Sequence, residues 1–125
     1  MEYAICVLDG CQKWLDSLPD KDFEPLAGRI DLLAEHGPAT PRPTVDTIEG
    51  SRHSNMKELR CGKLRVLFAF DPQTHAVLLI GGSKENRWTE WYDENIPIAD
   101  DLFDDWLANL ERNPDWADSP DQLGG

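Results

Sequence analysis

Basic residues are scarce in this chain: 12 Lys and Arg stand against 24 Asp and Glu, a formal net charge of −12 over 125 residues. So acidic an average argues against a general nucleic-acid binder, whose phosphate contacts leave a basic footprint. Long apolar stretches are missing too, and runs such as residues 76–80 (AVLLI) fall far short of the roughly 20 residues that span a bilayer. No basic segment followed by an apolar one opens the chain, so no secretory leader is expected. Cysteine is limited to Cys6, Cys11 and Cys61, an odd count without CxxC spacing. Reduced thiols in a cytoplasm suit that pattern better than a disulfide framework or a zinc site. Histidines 36, 53 and 75 fall in unlike elements, so neither a metal cage nor a cofactor is expected. These absences point to a soluble, cytoplasmic protein without a membrane partner.

What is present is enough for one core. Forty per cent of the residues are hydrophobic, and five Trp, four Phe and two Tyr separate the chain from disordered sequences, which lack aromatics. The charge is also unevenly spread. Residues 1–51 carry four basic and ten acidic residues, and residues 93–125 carry one and ten. Residues 52–92 reverse this, with seven basic residues against four acidic ones. Any anionic ligand is expected to meet that central block, although cations on a solvated sheet would look the same.

The periodicity predicts an α+β domain in the order β-α-α-β-β-β-α. Residues 3–8 (YAICVL) read as a first strand. Cys11, Trp14, Leu15 and Leu18 fall on one helical face, and Phe23, Leu26, Ile30 and Leu33 on another. Pro19 separates the two helices, with Asp20 placed to cap the second, and Gly37-Pro38 end the resulting αα-hairpin. Residues 38–52 carry three prolines and no helical period, and should run extended over the surface. The period then changes to two: strands are expected at 55–60, 64–70 and 76–80, with turns at 61–63 and 71–74. In the central strand Leu64, Val66, Phe68 and Phe70 share one face, and Arg65, Leu67 and Ala69 the other. Arg65 is thus the one charge in a buried strand, and its guanidinium needs water or an anion. Asn95 and Pro97 are expected to start the last helix, buried through Ala99, Leu102, Phe103, Trp106, Leu107 and Leu110, with Asp100, Asp101, Asp104 and Asp105 as a solvated face. Domain 1–112 should be folded and 113–125 a disordered acidic tail.

Several segments in order are similar to one family. These are LLAEHGPA (32–39), RPTVDTIEGSRHSNMKELR (42–60), RVLFAFDP (65–72) and WYDENIPIADDLFDDWL (91–107). Together they resemble the RelE/ParE toxin superfamily, and more narrowly its HigB-like, phage-related branch in type II toxin–antitoxin systems. The resemblance implies a RelE-like fold, a small mostly antiparallel sheet packed by the αα-hairpin and a C-terminal helix. It implies a metal-independent mRNA endoribonuclease, acting at the ribosome and inhibiting translation, with an Xre-like helix-turn-helix antitoxin as partner. In such chemistry the ribose 2′-hydroxyl attacks the adjacent phosphate, leaving a 2′,3′-cyclic phosphate and a 5′-hydroxyl. The site then needs cations for the phosphorane, a proton acceptor and a proton donor.

Carried over residue by residue, the resemblance marks Arg65 as the grip on the scissile phosphate and Lys84 as a second phosphate-binding cation. Arg60 stands beside Arg65 across the 61–63 turn, and Tyr92 falls where relatives place an acid/base group. Glu58, on the same strand face as Arg60, accepts a proton or pairs with it. Arg52, His53, Lys57, Lys63, Arg87 and Trp88 complete the expected RNA-binding set. Two other classes stay open: a non-nucleolytic, ParE-like gyrase inhibitor, and a decayed toxin that only binds its antitoxin. The short supply of lysine on MKELR and the acidic balance favour these alternatives, whereas the converging cations favour the nuclease.

Overall fold

A computed structural model describes residues 3–83 and 88–118. Its frame is a five-stranded sheet in the order β1-β5-β4-β3-β2. The strands are β1 (Ile5–Val7), β2 (Val45–Thr47), β3 (Lys57–Cys61), β4 (Leu64–Phe70) and β5 (Ala76–Ser83). Only β1–β5 is parallel among these pairs; the other three are antiparallel. Helices α1 (Asp9–Ser17) and α2 (Asp20–His36) form the αα-hairpin, and α3 (Trp88–Arg112) closes the chain before a short 3-10 turn at Trp116–Asp118. The expected α+β class, a small mostly antiparallel sheet packed by the αα-hairpin and a C-terminal helix, is that of the structure.

Both faces of the sheet are covered, which is why β4 reads as a nearly continuous apolar run. Leu64, Val66, Phe68 and Phe70 pack with Leu15, Leu26 and Leu33 from α1 and α2. Leu67 and Ala69 pack with Ala99, Phe103 and Trp106 from α3. Two glycines of β5 admit an indole on each side. An added Cβ would lie 2.3 Å from the Trp14 ring at Gly81, and 2.4 Å from the Trp91 ring nitrogen at Gly82. Burial pushes the Cys11 thiol up to about 12, so this cysteine is a packing group rather than a nucleophile.

Asp20 does not cap α2: it is the first helical residue, Pro19 takes the N-cap position, and no side chain caps it. Four further differences from the sequence expectations are larger. Helix α3 begins at Trp88, not at Asn95–Pro97. Tyr92, Ile96, Ala99, Phe103, Trp106 and Leu110 continue one apolar stripe through the proline, and its burial outweighs the backbone hydrogen bond that Pro97 removes. The supposed surface segment contains β2, whose pairing with β3 makes it an edge strand. Asp100 is not solvated: it is 2% exposed and accepts hydrogen bonds from the Ser51 hydroxyl and the Arg52 backbone N–H.

The fourth difference concerns the tail. Residues 113–118 are docked rather than disordered: Trp116 meets Trp106 edge-on at 4.6 Å, Ala117 is buried, and Gln73 donates to the Pro114 carbonyl at 2.8 Å. Residues 119–125 lie outside the described residues. Ending the chain at Arg112 removes the half-buried Trp116 and the buried Ala117. It is therefore expected to cost about 1–2 kcal/mol, part of the roughly 1.5–3 kcal/mol of a fully buried large side chain. The loss should appear as a lower urea midpoint, and an unchanged midpoint would mean that this contact stabilises nothing.

Candidate functional site

Gly62, with φ at +57°, closes the tight turn between β3 and β4. Its register sets Arg60 directly opposite Arg65, and Glu58 opposite Leu67. Since side chains alternate along a strand, Glu58, Arg60 and Arg65 all lie on the face that α3 covers, and the first turns of α3 add Tyr92 above them. Strand β2 contributes Asp46, the register partner of Glu58.

Glu58 is the hub of this group. It is 2% exposed and accepts from Arg60 Nε and Nη2 at 3.0 and 2.8 Å and from the Tyr92 hydroxyl at 2.5 Å. Arg65 Nε lies 3.5 Å from its other face. Asp46 reaches Arg60 at 3.2 Å. The Arg60 guanidinium is held above its ordinary pKa first by its hydrogen bonds to Glu58 and then by the neighbouring carboxylate charges. Asp46 is held below the usual carboxylate range, chiefly by the Thr47 backbone N–H that it accepts. Burial, then the hydrogen bond to Glu58, push the Tyr92 phenol up to about 12. It therefore remains protonated at neutral pH and is a donor, not a base.

The two arginines are not equally presented. The Arg65 side chain is 8% exposed, and its Nη1 donates to the Gly62 and Leu64 carbonyls at 2.6 and 2.8 Å. The anion that its guanidinium requires comes largely from within the protein. Arg60 is 36% exposed and faces solvent. The expectation put the direct grip on Arg65; the geometry offers Arg60 for contact and sets Arg65 behind it as buried charge.

Four of the expected RNA contacts, Arg52, His53, Lys57 and Lys63, do not gather around this pair. Lys57 and Lys63 fall elsewhere: Lys57 shares the parity of Leu59, which faces the αα-hairpin, and Lys63 lines a groove with Trp14 and Lys21. Arg52 is held by Asp101 and Asp104, and His53 Nε2 lies 2.7 Å from Asp104 while its ring packs on Phe103. Tyr92 and Asp104 are twelve residues apart on α3, roughly 18 Å along the helix, so this acidic end holds Arg52 and His53 away from Glu58. Lys84 and Arg87 lie outside the described residues, as does the Trp88 side chain. The sequence reading missed Asp46, because a three-residue edge strand is too short to show its alternation.

Another buried polar group explains His75. Asp71 accepts from the His75 Nδ1 and the Trp106 indole N–H, both at 2.8 Å, and from the backbone N–H groups of Gln73 and His75. This network ties the β4–β5 turn to α3 and is a structural clamp. Among the described residues no group of three or more His, Cys, Asp or Glu is arranged to hold a metal ion, and no helix is long and apolar enough to cross a membrane. Chemically, the Glu58 cluster offers one solvent-facing cation backed by another, two carboxylates (Glu58 and Asp46) and one high-pKa phenol. That set suits an anionic substrate undergoing proton transfer.

The chain is similar to several known proteins. A family profile described as "Phage derived protein Gp49-like (DUF891)" matches residues 13–104. Two Mycobacterium tuberculosis proteins are similar over most of the chain. "Putative toxin HigB2" is 48% identical over 78% of this chain, and "Putative toxin HigB3" is 44% identical over 85%. The matches cover 51% and 95% of those proteins, so the chain spans about half the length of the first. Among solved structures, the archaeal RelE–RelB complex from Pyrococcus horikoshii aligns with a TM-score of 0.56 and 22% identity, covering 68% of this chain and 98% of that one. The E. coli toxin RelE, as a free variant, aligns at 0.55 and 14%, covering 75% and 94%. These likenesses show a shared fold.

Proposed function

Because this chain belongs to the Gp49-like family of phage-derived proteins and is HigB-like within the RelE superfamily, we propose that it is the toxin of a toxin–antitoxin pair and acts as a metal-independent mRNA endoribonuclease. It inhibits translation by cutting messages at the ribosome in the cytoplasm, and an Xre-like helix-turn-helix antitoxin neutralises it. The observation that carries this reading is the cross-strand pair Arg60–Arg65 gathered with Glu58 and Tyr92. A surface that only docked another protein would have no need of paired cations beside a buried acid and a phenol.

In this mechanism the scissile phosphate seats on Arg60, with Arg65 adding positive charge from behind. Charge grows on the phosphorane oxygens, where fixed donors are most effective. Glu58 takes the proton of the 2′-hydroxyl as its oxygen bonds to phosphorus, and Tyr92 gives its proton to the departing 5′-oxygen as that bond breaks. In-line attack needs base and acid at opposite ends of the O–P–O axis, so the Tyr92–Glu58 hydrogen bond opens when substrate enters. Once product leaves, the proton on Glu58 returns to the phenolate across that bond, and the resting state is restored.

The test uses purified protein and mRNA on cross-linked ribosomes, which stay intact in excess EDTA. Cleavage should persist, leave a 2′,3′-cyclic phosphate, and fail on an oligonucleotide carrying 2′-deoxyribose at the cut site. Cleavage of the deoxy substrate, or activity restored only by magnesium, would overturn the mechanism. In cells, replication arrest with intact mRNA would replace the nuclease with the gyrase-inhibitor reading. The internal pairing of the two arginines with Glu58 and Asp46 is what keeps a purely antitoxin-binding role as the second reading.

A further inference from the structure

A cleft borders the arginine site, and most of its lining takes no part in the chemistry above. Thr47 ends β2, Ile48 and Glu49 follow it, and Ile96 lies one turn beyond Tyr92 on α3. Together with Glu58, Arg60 and Tyr92 they line an open cleft of ≈ 360 Å³. That is near the lower end of the roughly 300–1,000 Å³ typical of small-molecule pockets, and is a better match to one nucleotide unit than to a protein segment. Its apolar lining is Ile48 and Ile96, 9% and 8% exposed. Tyr92 supplies an aromatic ring, a surface on which unpaired bases stack, and Arg60 the phosphate contact beside it.

The polar lining beyond the catalytic group is Thr47 and Glu49. The other acids around Arg60 are engaged: Asp46 pairs with Arg42 and Arg60, and Glu58 with Arg60, Arg65 and Tyr92. Glu49 is exposed, and among the described residues no hydrogen bond or ion pair holds it. A free carboxylate beside a phosphate-binding arginine repels phosphate, so its presence there calls for a ligand group that donates hydrogen bonds.

We infer that this cleft is a nucleobase subsite and that Glu49 selects guanine next to the scissile phosphate. A carboxylate only accepts, through two parallel oxygens. The Watson–Crick edge of guanine offers two adjacent donors, N1–H and the N2 amino group, which match those oxygens one to one. Adenine and cytosine place a ring-nitrogen acceptor beside their amino group, and uracil flanks its single N–H with carbonyls. Each of those three sets an acceptor against a carboxylate oxygen. Phosphate on Arg60 and base on Glu49 together define one nucleotide, with Ile48 and Ile96 beneath the base.

This inference rests on the ribonuclease reading and deepens it, so binding is measured apart from cleavage. The full chain, labelled at isoleucine methyl groups, is titrated with 3′-GMP, 3′-UMP and inorganic phosphate. The Ile48 and Ile96 methyl resonances should move with 3′-GMP, which should bind about 10- to 100-fold more tightly than 3′-UMP, the discrimination usual for a bidentate base contact. Glu49→Gln should bring the two nucleotides close to equal affinity while leaving the rest of the methyl spectrum in place. Methyl shifts that inorganic phosphate reproduces, equal affinities in the natural protein, or a guanine preference that survives Glu49→Gln would each overturn the subsite. RNA cleavage without guanine preference would overturn the subsite but keep the nuclease. Selective 3′-GMP binding without any cleavage would keep the subsite and remove the nuclease.

Discussion

Arg60→Ala is expected to reduce RNA cleavage by about 10²–10³-fold, equivalent to about 2.7–4 kcal/mol of lost transition-state stabilisation, with a smaller loss of stability than Arg65→Ala. Arg60 is the partly exposed arginine of the pair, and its contact with Asp46 is a surface ion pair worth about 0–1 kcal/mol. The buried Glu58 that loses its hydrogen bonds keeps Arg65 and Tyr92, so about 1–3 kcal/mol of stability is expected to go with them. Arg65→Ala should behave differently. Arg65 is 7% exposed and lies against a carboxylate that is 2% exposed. Breaking a buried pair costs roughly 3–5 kcal/mol; the low end applies because Arg60 and Tyr92 still hold Glu58. Cleavage and stability should fall together in that variant, with Tm lower by on the order of 10 °C. Rate measurements beside thermal melts separate the two arginines. Full activity in a folded Arg60→Ala protein would remove the phosphate contact from this site.

Trp106→Ala should be among the most damaging single changes to the fold, at about 3–5 kcal/mol. The indole is 1% exposed, lies against His75 and Trp116, and donates to Asp71. Its loss opens a cavity between α3 and the sheet and takes one donor from a buried carboxylate. Trp106→Phe keeps most of the packing and isolates the hydrogen bond, so about 1–3 kcal/mol is expected there. Ile98→Ala, on the same helix but 46% exposed, should stay within about ±0.5 kcal/mol. Denaturant melts of the three variants check the order. A Trp106→Ala protein as stable as Ile98→Ala would show that α3 is not anchored through this residue.

The alternation of residues 64–70 was sufficient to assign both faces of β4, because a period of two survives wherever each face is packed. For the same reason the placement of Arg65 beside Leu67 and Ala69, and its need for an anion, were legible before any coordinates. The αα-hairpin and its end at Gly37 followed equally from local rules of periodicity and capping.

The tertiary structure decided everything that depended on which segments meet. Asp46 and Glu58 face each other only because β2 pairs with β3, a register that three residues cannot announce. Helix α3 runs through Pro97 because its apolar stripe finds the sheet, so a local penalty yielded to burial. Trp116 looked like part of a disordered tail until Trp106 was seen to receive it. Above all, the central basic block of the sequence is not one surface. Strand alternation turns Lys57 away from Arg60, and the aspartates of α3 hold Arg52 and His53 at the far end of the helix. Net charge is a property of composition, but a binding field depends on which charges share a face and which are already neutralised. The sequence determines the former, and only the packed chain determines the latter.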